Sequence, residues 1–240
     1  MKKLVFSLLA LTVGIVALKA QTTVIADANA KVRLLNGSFT AITVSDGVEL
    51  YITQGNEETI AVSASDDAIL QRFKTEVVNG TLKIYFDHKG LDWINNRKRK
   101  LTAYVSFKTL EKLHASGGAS VKAKNTIEAG DLEMDFSSGS RFDGSINAKT
   151  LDIDQSSGSG MDLSGKAGKL KIDASSGARF QGFGMEVDYC NAEATSGGSV
   201  RIGVNKELTG KASSGGSVRY KGTAVIHDID VSSGGIVKRA

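Results

Sequence analysis

Seven copies of a Ser-Gly phrase divide the second half of this chain at nearly equal intervals. They are Ser116-Gly117-Gly118, Ser138-Gly139-Ser140, Ser157-Gly158-Ser159, Ser176-Gly177-Ala178, Ser196-Gly197-Gly198, Ser214-Gly215-Gly216 and Ser233-Gly234-Gly235. From first glycine to first glycine the steps are 22, 19, 19, 20, 18 and 19 residues. Such a period marks a solenoid, in which no repeat can bury its apolar face alone and stacked neighbours share one core. Glycine content shifts with it: residues 1–112 hold 6 of the 27 glycines and residues 113–240 hold the other 21. The chain therefore divides into a smaller N-terminal region, 21–112, and a Gly/Ser-rich repeat region, 113–240.

Inside the repeats the apolar residues alternate. Leu132 and Met134, Leu151 and Ile153, and Leu170 and Ile172 stand seven and five residues before the glycine. Phe136, Gln155, Ala174, Ala194, Ala212 and Val231 stand three before it. Phe142, Met161, Phe180, Val200, Val218 and Val237 stand three after it, and only the first copy slips, with Val121 at plus four. Spacing by two puts each set on one face of a strand. These features predict an all-β fold. The repeat region forms a parallel β-helix with rungs of about 19 residues, stacked at roughly 4.8 Å so that like positions make ladders. Glycine supplies the positive φ of a corner, and stacked serine hydroxyls are expected to hydrogen-bond one another there.

The N-terminal region also reads as strands. Phe39 to Val44, Val48 to Thr53 and Thr59 to Ala64 alternate, with Ser45-Asp46-Gly47 and Gln54-Gly55-Asn56 as turns. Ala68 to Phe73 has a short helical spacing, and Asn79-Gly80 predicts a hairpin between Glu76-Val77-Val78 and Thr81 to Phe86. Residues 87–100, with Trp93 and Arg97-Lys98-Arg99-Lys100, read as an exposed basic loop, and Leu101 to Phe107 resumes strand character.

Residues 1–20 have the form of a signal peptide: Lys2 and Lys3, an apolar run from Leu4 to Leu18, and Ala20 before Gln21. The run is short for a membrane span, so the mature chain is not expected to cross a bilayer. Export to the periplasm, the outer-membrane surface or the medium follows. Cleavage removes Lys2, Lys3 and Lys19, which lowers the formal charge from +4 to +1. A general affinity for nucleic acid then loses its electrostatic basis. Cys190 is the single cysteine, so no internal disulfide forms, and a small buried residue is the expectation.

Two outward ladders are the candidates for chemistry. Asp135, Asp154, Asp173 and Glu193, followed by Lys211 and Asp230, stand four residues before the glycine. Stacked carboxylates of this kind could bind calcium, or act as acid and base on a polysaccharide. They could equally be a solvated face, the reading favoured here because Arg141 and Arg179 do not recur on every rung and no aromatic platform accompanies the acids. Asp143, Asp162, Gln181, Arg201, Arg219 and Lys238 stand four after the glycine and change sign along the axis. Gly158-Ser159-Gly160-Met161-Asp162 resembles half of a nine-residue calcium repeat but occurs once, at the wrong period. His88, His114 and His227 lack metal-ligand spacing, and neither a nucleophile elbow nor a phosphate-binding loop is present. No cofactor is implied.

The repeats, with Gly216-Ser217-Val218-Arg219-Tyr220-Lys221-Gly222 and Val231-Ser232-Ser233-Gly234-Gly235-Ile236-Val237-Lys238, resemble the auto-transporter adhesin head domain family, also called the head GIN domain. Phe39, Ile42, Val44, Gly47, Val48, Gln54-Gly55 and Asn79 to Ile84 are similar to its opening strands, so the resemblance spans roughly 36–238. At Lys108-Thr109-Leu110 this chain lacks the proline usual before that leucine. The resemblance implies an exported β-helical protein without established catalysis and with an adhesive role, and it allows 21–240 to be one continuous head domain. The leading expectation is a non-enzymatic solenoid that binds a surface ligand, glycan or protein. A calcium-dependent polysaccharide lyase or hydrolase and a structural module assembling as a homo-oligomer, such as a trimer, are the alternatives.

Overall fold

The computed structural model describes residues 27–90 and 99–240. The expected signal peptide lies outside these residues, as do Trp93 and Arg97-Lys98 of the basic loop. The first strands are β1 (Lys31–Arg33), β2 (Ala41–Val44), β3 (Glu49–Gln54) and β4 (Thr59–Ala64). A six-residue helix, α1 (Asp67–Arg72), follows, its N-terminus capped by the Asp66 carboxylate accepting from the Ile69 N–H. Then come β5 (Phe73–Val78), β6 (Thr81–Phe86), β7 (Leu101–Phe107), β8 (Lys112–Ala115) and β9 (Ser120–Ala123). The repeats supply β10 (Ile127–Phe136), β11 (Arg141–Gln155), β12 (Gly160–Ala174), β13 (Arg179–Ala194), β14 (Ser199–Ala212), β15 (Ser217–Lys221), β16 (Val225–Val231) and β17 (Ile236–Arg239). The chain is a β-solenoid, as its period predicts.

Two inward ladders carry the core. One runs Ile84, Val44, Ala115, Phe136, Gln155, Ala174, Ala194, Ala212, Val231, every step a parallel pairing. The other runs Ala103, Leu50, Val121, Phe142, Met161, Phe180, Val200, Val218, Val237. The two faces meet inside, where the rings of Phe136 and Phe142 pack edge to face with centroids 5.9 Å apart. Strands on both sides of residue 112 share these ladders, and one apolar cluster runs from Phe39 to Val218. The stacking order is not the chain order. The chain lays down β2 and β3 first, places β6 and β7 on one side of them, then returns to place β8 and β9 on the other. Residues 87–100 therefore join β6 to β7 where other rungs have a Ser-Gly corner.

The corner itself is a type I′ turn. Its two middle residues have positive φ, 52° at Ser138 and 74° at Gly139, and the Ser140 N–H donates to the Ser137 carbonyl at 3.1 Å. Successive corners are joined by the backbone. The glycine N–H donates to the carbonyl of the positive-φ residue in the next corner, from Gly118 to Ser138 at 2.9 Å, Gly139 to Ser157 at 3.0 Å and Gly158 to Ser176 at 3.1 Å, and so on to Gly215 and Ser233 at 3.2 Å. The expected ladder of hydroxyl bonds is replaced by this backbone ladder. Ser140 Oγ instead donates to the Ala115 carbonyl at 2.9 Å. The slip in the first copy also resolves. Gly117 occupies the serine position with φ 57° and Gly118 the glycine position with φ 76°, so Val121 stands at plus three after all. Asp46 (φ 62°) and Gly47 (φ 72°) form a further corner that the phrase does not announce, joined to the stack by the Gly47 N–H and the Gly117 carbonyl at 2.9 Å. Asp46 makes contacts of its own at the end of the series: its carboxylate accepts from the Phe86 N–H at 3.2 Å and from the Ser45 hydroxyl at 2.6 Å.

Unequal rungs are absorbed away from the corners. Register shifts fall between Asp162 and Ser164 on β12 and between Gly182 and Tyr189 on β13, while both ladders beside the corner stay in step. The top of the stack is closed by antiparallel strands, β5 on β6 and β4 on β7, with β1 on β4. Phe39, Phe73, Phe86 and Phe107 fill that end and are fully buried. Leu110 is buried without the preceding proline, and the Glu111 N–H holds the junction by donating to the Thr40 carbonyl at 2.8 Å.

Three stability effects are expected. A Cβ at Gly216 would collide with the Ala194 carbonyl oxygen, so Gly216→Ala should cost at least about 2 kcal/mol. Ser176→Gly, at a position with φ 50°, should change stability by no more than about 1 kcal/mol. Gln155 is 2% exposed in the core ladder and its amide has no hydrogen-bond partner, so Gln155→Met should gain about 1–2 kcal/mol. Urea unfolding midpoints check all three.

Candidate functional site

Alternation along β10 to β13 turns the minus-four positions outward, because their neighbours on either side are core residues. Strand register then brings all four predicted acids together. His114, Asp135, Asp154, Asp173, Glu193, Lys211 and Asp230 lie side by side on consecutive rungs. His114 Nδ1 lies 3.3 Å from the Asp135 carboxylate, and Lys171 Nζ lies 2.7 Å from that of Asp173. Asp154 and Glu193 have no ion-pair partner within 4.0 Å among the described residues. Burial raises the Asp154 pKa, and the neighbouring Asp173 carboxylate raises it further, against the opposing pull of Lys171.

A second strip runs beside the first, two residues nearer the rung's start. Lys112, Glu133, Asp152, Lys171 and Asn191 follow one another there. Lys112 Nζ holds Glu133 at 2.6 Å, and Lys171 reaches Asp152 at 3.6 Å. The sequence contains this strip at a fixed offset of minus six, but its mixture of signs hides it until the register is known. At its upper end a cavity of about 600 Å³ is lined by Glu111, Lys112, Asp131, Glu133 and Asp152, together with Leu110 and Leu132. Among the described residues, no group of three or more His, Cys, Asp and Glu side chains is arranged to hold a metal ion. The calcium reading of the acid ladder therefore finds no ligand set here.

Around the corner, the plus-four ladder is longer than the sequence suggests. Tyr104 and Tyr51 precede Lys122, Asp143, Asp162, Gln181, Arg201, Arg219 and Lys238. The two tyrosine rings stack with centroids 5.4 Å apart and planes 11° from parallel. Lys122 and Lys124 sit over the Tyr51 ring at 5.6 and 5.2 Å. Arg141 and Arg179 flank Gly160 on the neighbouring plus-two ladder. Sequence reasoning missed the tyrosine pair because the two rings stand on strands separated by half of the N-terminal region.

The sequence matches the family described as "Putative auto-transporter adhesin, head GIN domain" over residues 38–224. The chain belongs to this family. Its fold is shared with solved structures of low sequence identity. A putative adhesin from Bacteroides fragilis is 16% identical with a TM-score of 0.79, and the match covers 89% of this chain and 98% of the other. A putative adhesin from Parabacteroides merdae is 18% identical with a TM-score of 0.66, covering 89% and 97%. A putative lipid binding protein from Parabacteroides distasonis is 16% identical with a TM-score of 0.65, covering 89% and 98%. No curated protein matches the sequence.

In this head GIN domain Cys190, His88 and His227 stand outside the outward ladders. Cys190 is 5% exposed on the inner side of β13, and burial pushes its thiol up to about 12, so it has no thiolate to offer. His88 Nε2 lies 3.0 Å from Asp46 at the uppermost corner, and His227 Nδ1 lies 3.7 Å from Glu207. These sites are far apart along the stack. Among the described residues no helix is long and apolar enough to cross a membrane.

The raised Asp154 pKa has a consequence with a definite sign. The native state holds this proton more tightly than the unfolded chain, so stability falls as the pH rises from the ordinary aspartate value of 3.8 through the higher native value. Asp154→Asn should therefore raise stability at neutral pH, and the gain should vanish below the ordinary aspartate value. Thermal melts of both proteins across acidic to neutral pH check this.

Proposed function

We propose that this chain is an exported, non-enzymatic binding module whose acid-bearing flat face engages a surface ligand at the cell envelope. The observation that carries this reading is the in-register alignment of Asp135, Asp154, Asp173 and Glu193 on consecutive rungs, beside a groove lined by four acids and Lys112. Like charges directly opposite one another across parallel strands oppose stacking. A partner whose cationic groups follow the same spacing of about 4.8 Å relieves that repulsion on binding. The leader-like N-terminus supports export, and the family's description supports adhesion. The ligand is a glycan or a protein surface that carries positive charge.

Binding of the mature protein to an array of glycans and envelope proteins tests this. The variant Asp135→Asn, Asp154→Asn, Asp173→Asn, Glu193→Gln should bind at least about tenfold more weakly than the parent at low salt, and the difference should shrink as salt screens the face. Equal binding by parent and variant would remove the acid face from the function. Depolymerisation of a polysaccharide by the purified protein would overturn the non-enzymatic reading.

A further inference from the structure

The two ends of the solenoid differ. At the top, antiparallel strands and buried phenylalanines close the core. At the bottom, the last rung, β16 and β17, pairs on one edge with β14 and β15 and on the other with no strand among the described residues. On β16 the inward side chains occupy the same ladder positions as the core but are open. Val231 is 45% exposed, whereas Ala212 and Ala194, its predecessors in the ladder, are 2% and 0% exposed. Ile229 and Ile226, paired with Gly210 and Leu208, are 40% and 37% exposed on the same strand, and on β17 the outward-ladder residue Ile236, paired with Ser217, adds a further apolar side chain at 45% exposure. Solenoids need a polar terminal repeat to stay soluble, and an apolar unpaired edge is a template for another strand.

The charges on this rung indicate what covers it. β16 carries the acids Asp228 and Asp230, and β17 carries the bases Lys238 and Arg239. The Arg239 guanidinium is engaged by the Gly222 carbonyl, which leaves Lys238 as the outward base, and Lys238 has no acid partner among the described residues. A two-fold axis through the corner Ser232 to Gly235, perpendicular to the solenoid, lays a partner's β17 antiparallel on β16. The same operation lays the partner's β16 on β17. Inward residues then meet inward residues, Val231 against the partner's Val237, and outward residues meet outward ones, Asp230 against the partner's Lys238. The match occurs twice, as an isologous interface requires. A parallel, head-to-tail arrangement would instead set this open rung on an end already closed by β5, β4 and β1.

We propose that the open bottom rung is a homodimer interface, where two copies join end to end through antiparallel β16–β17 pairing. The interface satisfies the free strand edges, covers the exposed valines and isoleucines, and yields one doubled solenoid with a closed end at each tip.

Sedimentation equilibrium and light scattering on the mature chain, over a wide concentration range, test the proposal. A monomer–dimer equilibrium is expected, with slowed amide exchange in β16 and β17 on dimerisation. Asp230→Lys and Lys238→Asp, both at exposed positions, should each weaken the dimer by roughly tenfold or more. The double reversal should restore it, which a loss of folding could not do. A monomer at every concentration overturns the proposal, as does a monomer whose β16 and β17 amides are already protected by another part of the same chain. A dimer indifferent to both single reversals, a trimer, or open-ended fibres would overturn it too.

Discussion

Every ladder in this molecule depends on one repeated backbone contact. The glycine N–H of each corner donates to the carbonyl of the next corner's positive-φ residue, at 2.9–3.2 Å along the series. A turn that must make this bond cannot slide along its neighbour. The bond therefore fixes the register of the strands on both sides, and register decides which side chains meet. Phe142 meets Met161 and Asp154 meets Asp173 because the corner between their strands is locked. Side-chain packing then adds roughly 1.5–3 kcal/mol for each fully buried large apolar group, before ordering costs. Without the lock, the same residues could bury themselves in more than one alignment.

Legibility in the sequence followed this division of labour. Where the corner was written as Ser-Gly, the period gave the rungs, the alternation gave inside and outside, and the four acids were placed on one face correctly. The corner at Asp46-Gly47 was harder to see, because an aspartate stands where the others have serine and 71 residues separate Gly47 from Gly118, its equivalent in the next rung of the stack. Those residues hold β4, α1 and β5, which cap the stack, and β6 and β7, which join it out of chain order. Local pattern identified most of these strands and the Asn79-Gly80 hairpin. It carried no information on which distant strand each would stack against. The tyrosine pair and the minus-six strip were hidden for the same reason. The corner serines show a different limit: their small size was read as a need for hydroxyl contacts, whereas the backbone makes the bond and the side chain has only to stay out of the way.

The outward faces show how such a scaffold makes a site. In most folds a binding constellation is assembled by loops from several elements. Here a single outward position, repeated, lines up a row of like groups at a constant pitch, and the character of the row is set rung by rung. The minus-four row is acidic through four rungs and then changes at Lys211; the plus-four row passes from tyrosine through Lys122 to acid and then, past Gln181, to base. The two rows lie on opposite sides of the same corner, so a partner reading one need not disturb the other.

The bulges on β12 and β13 bear on how the molecule can change over time. Rungs of 18 and 20 residues sit next to each other, and the difference is taken up between Gly182 and Tyr189 and the facing stretch of β14. That side of the solenoid is where length is negotiable, while the corner and the rows beside it are not. Insertions and deletions can accumulate there without erasing the pattern displayed on the two faces, and whole rungs can be duplicated or lost with the corners still meeting. It is also the place where a foreign peptide could be spliced into the coil and displayed without breaking the stack.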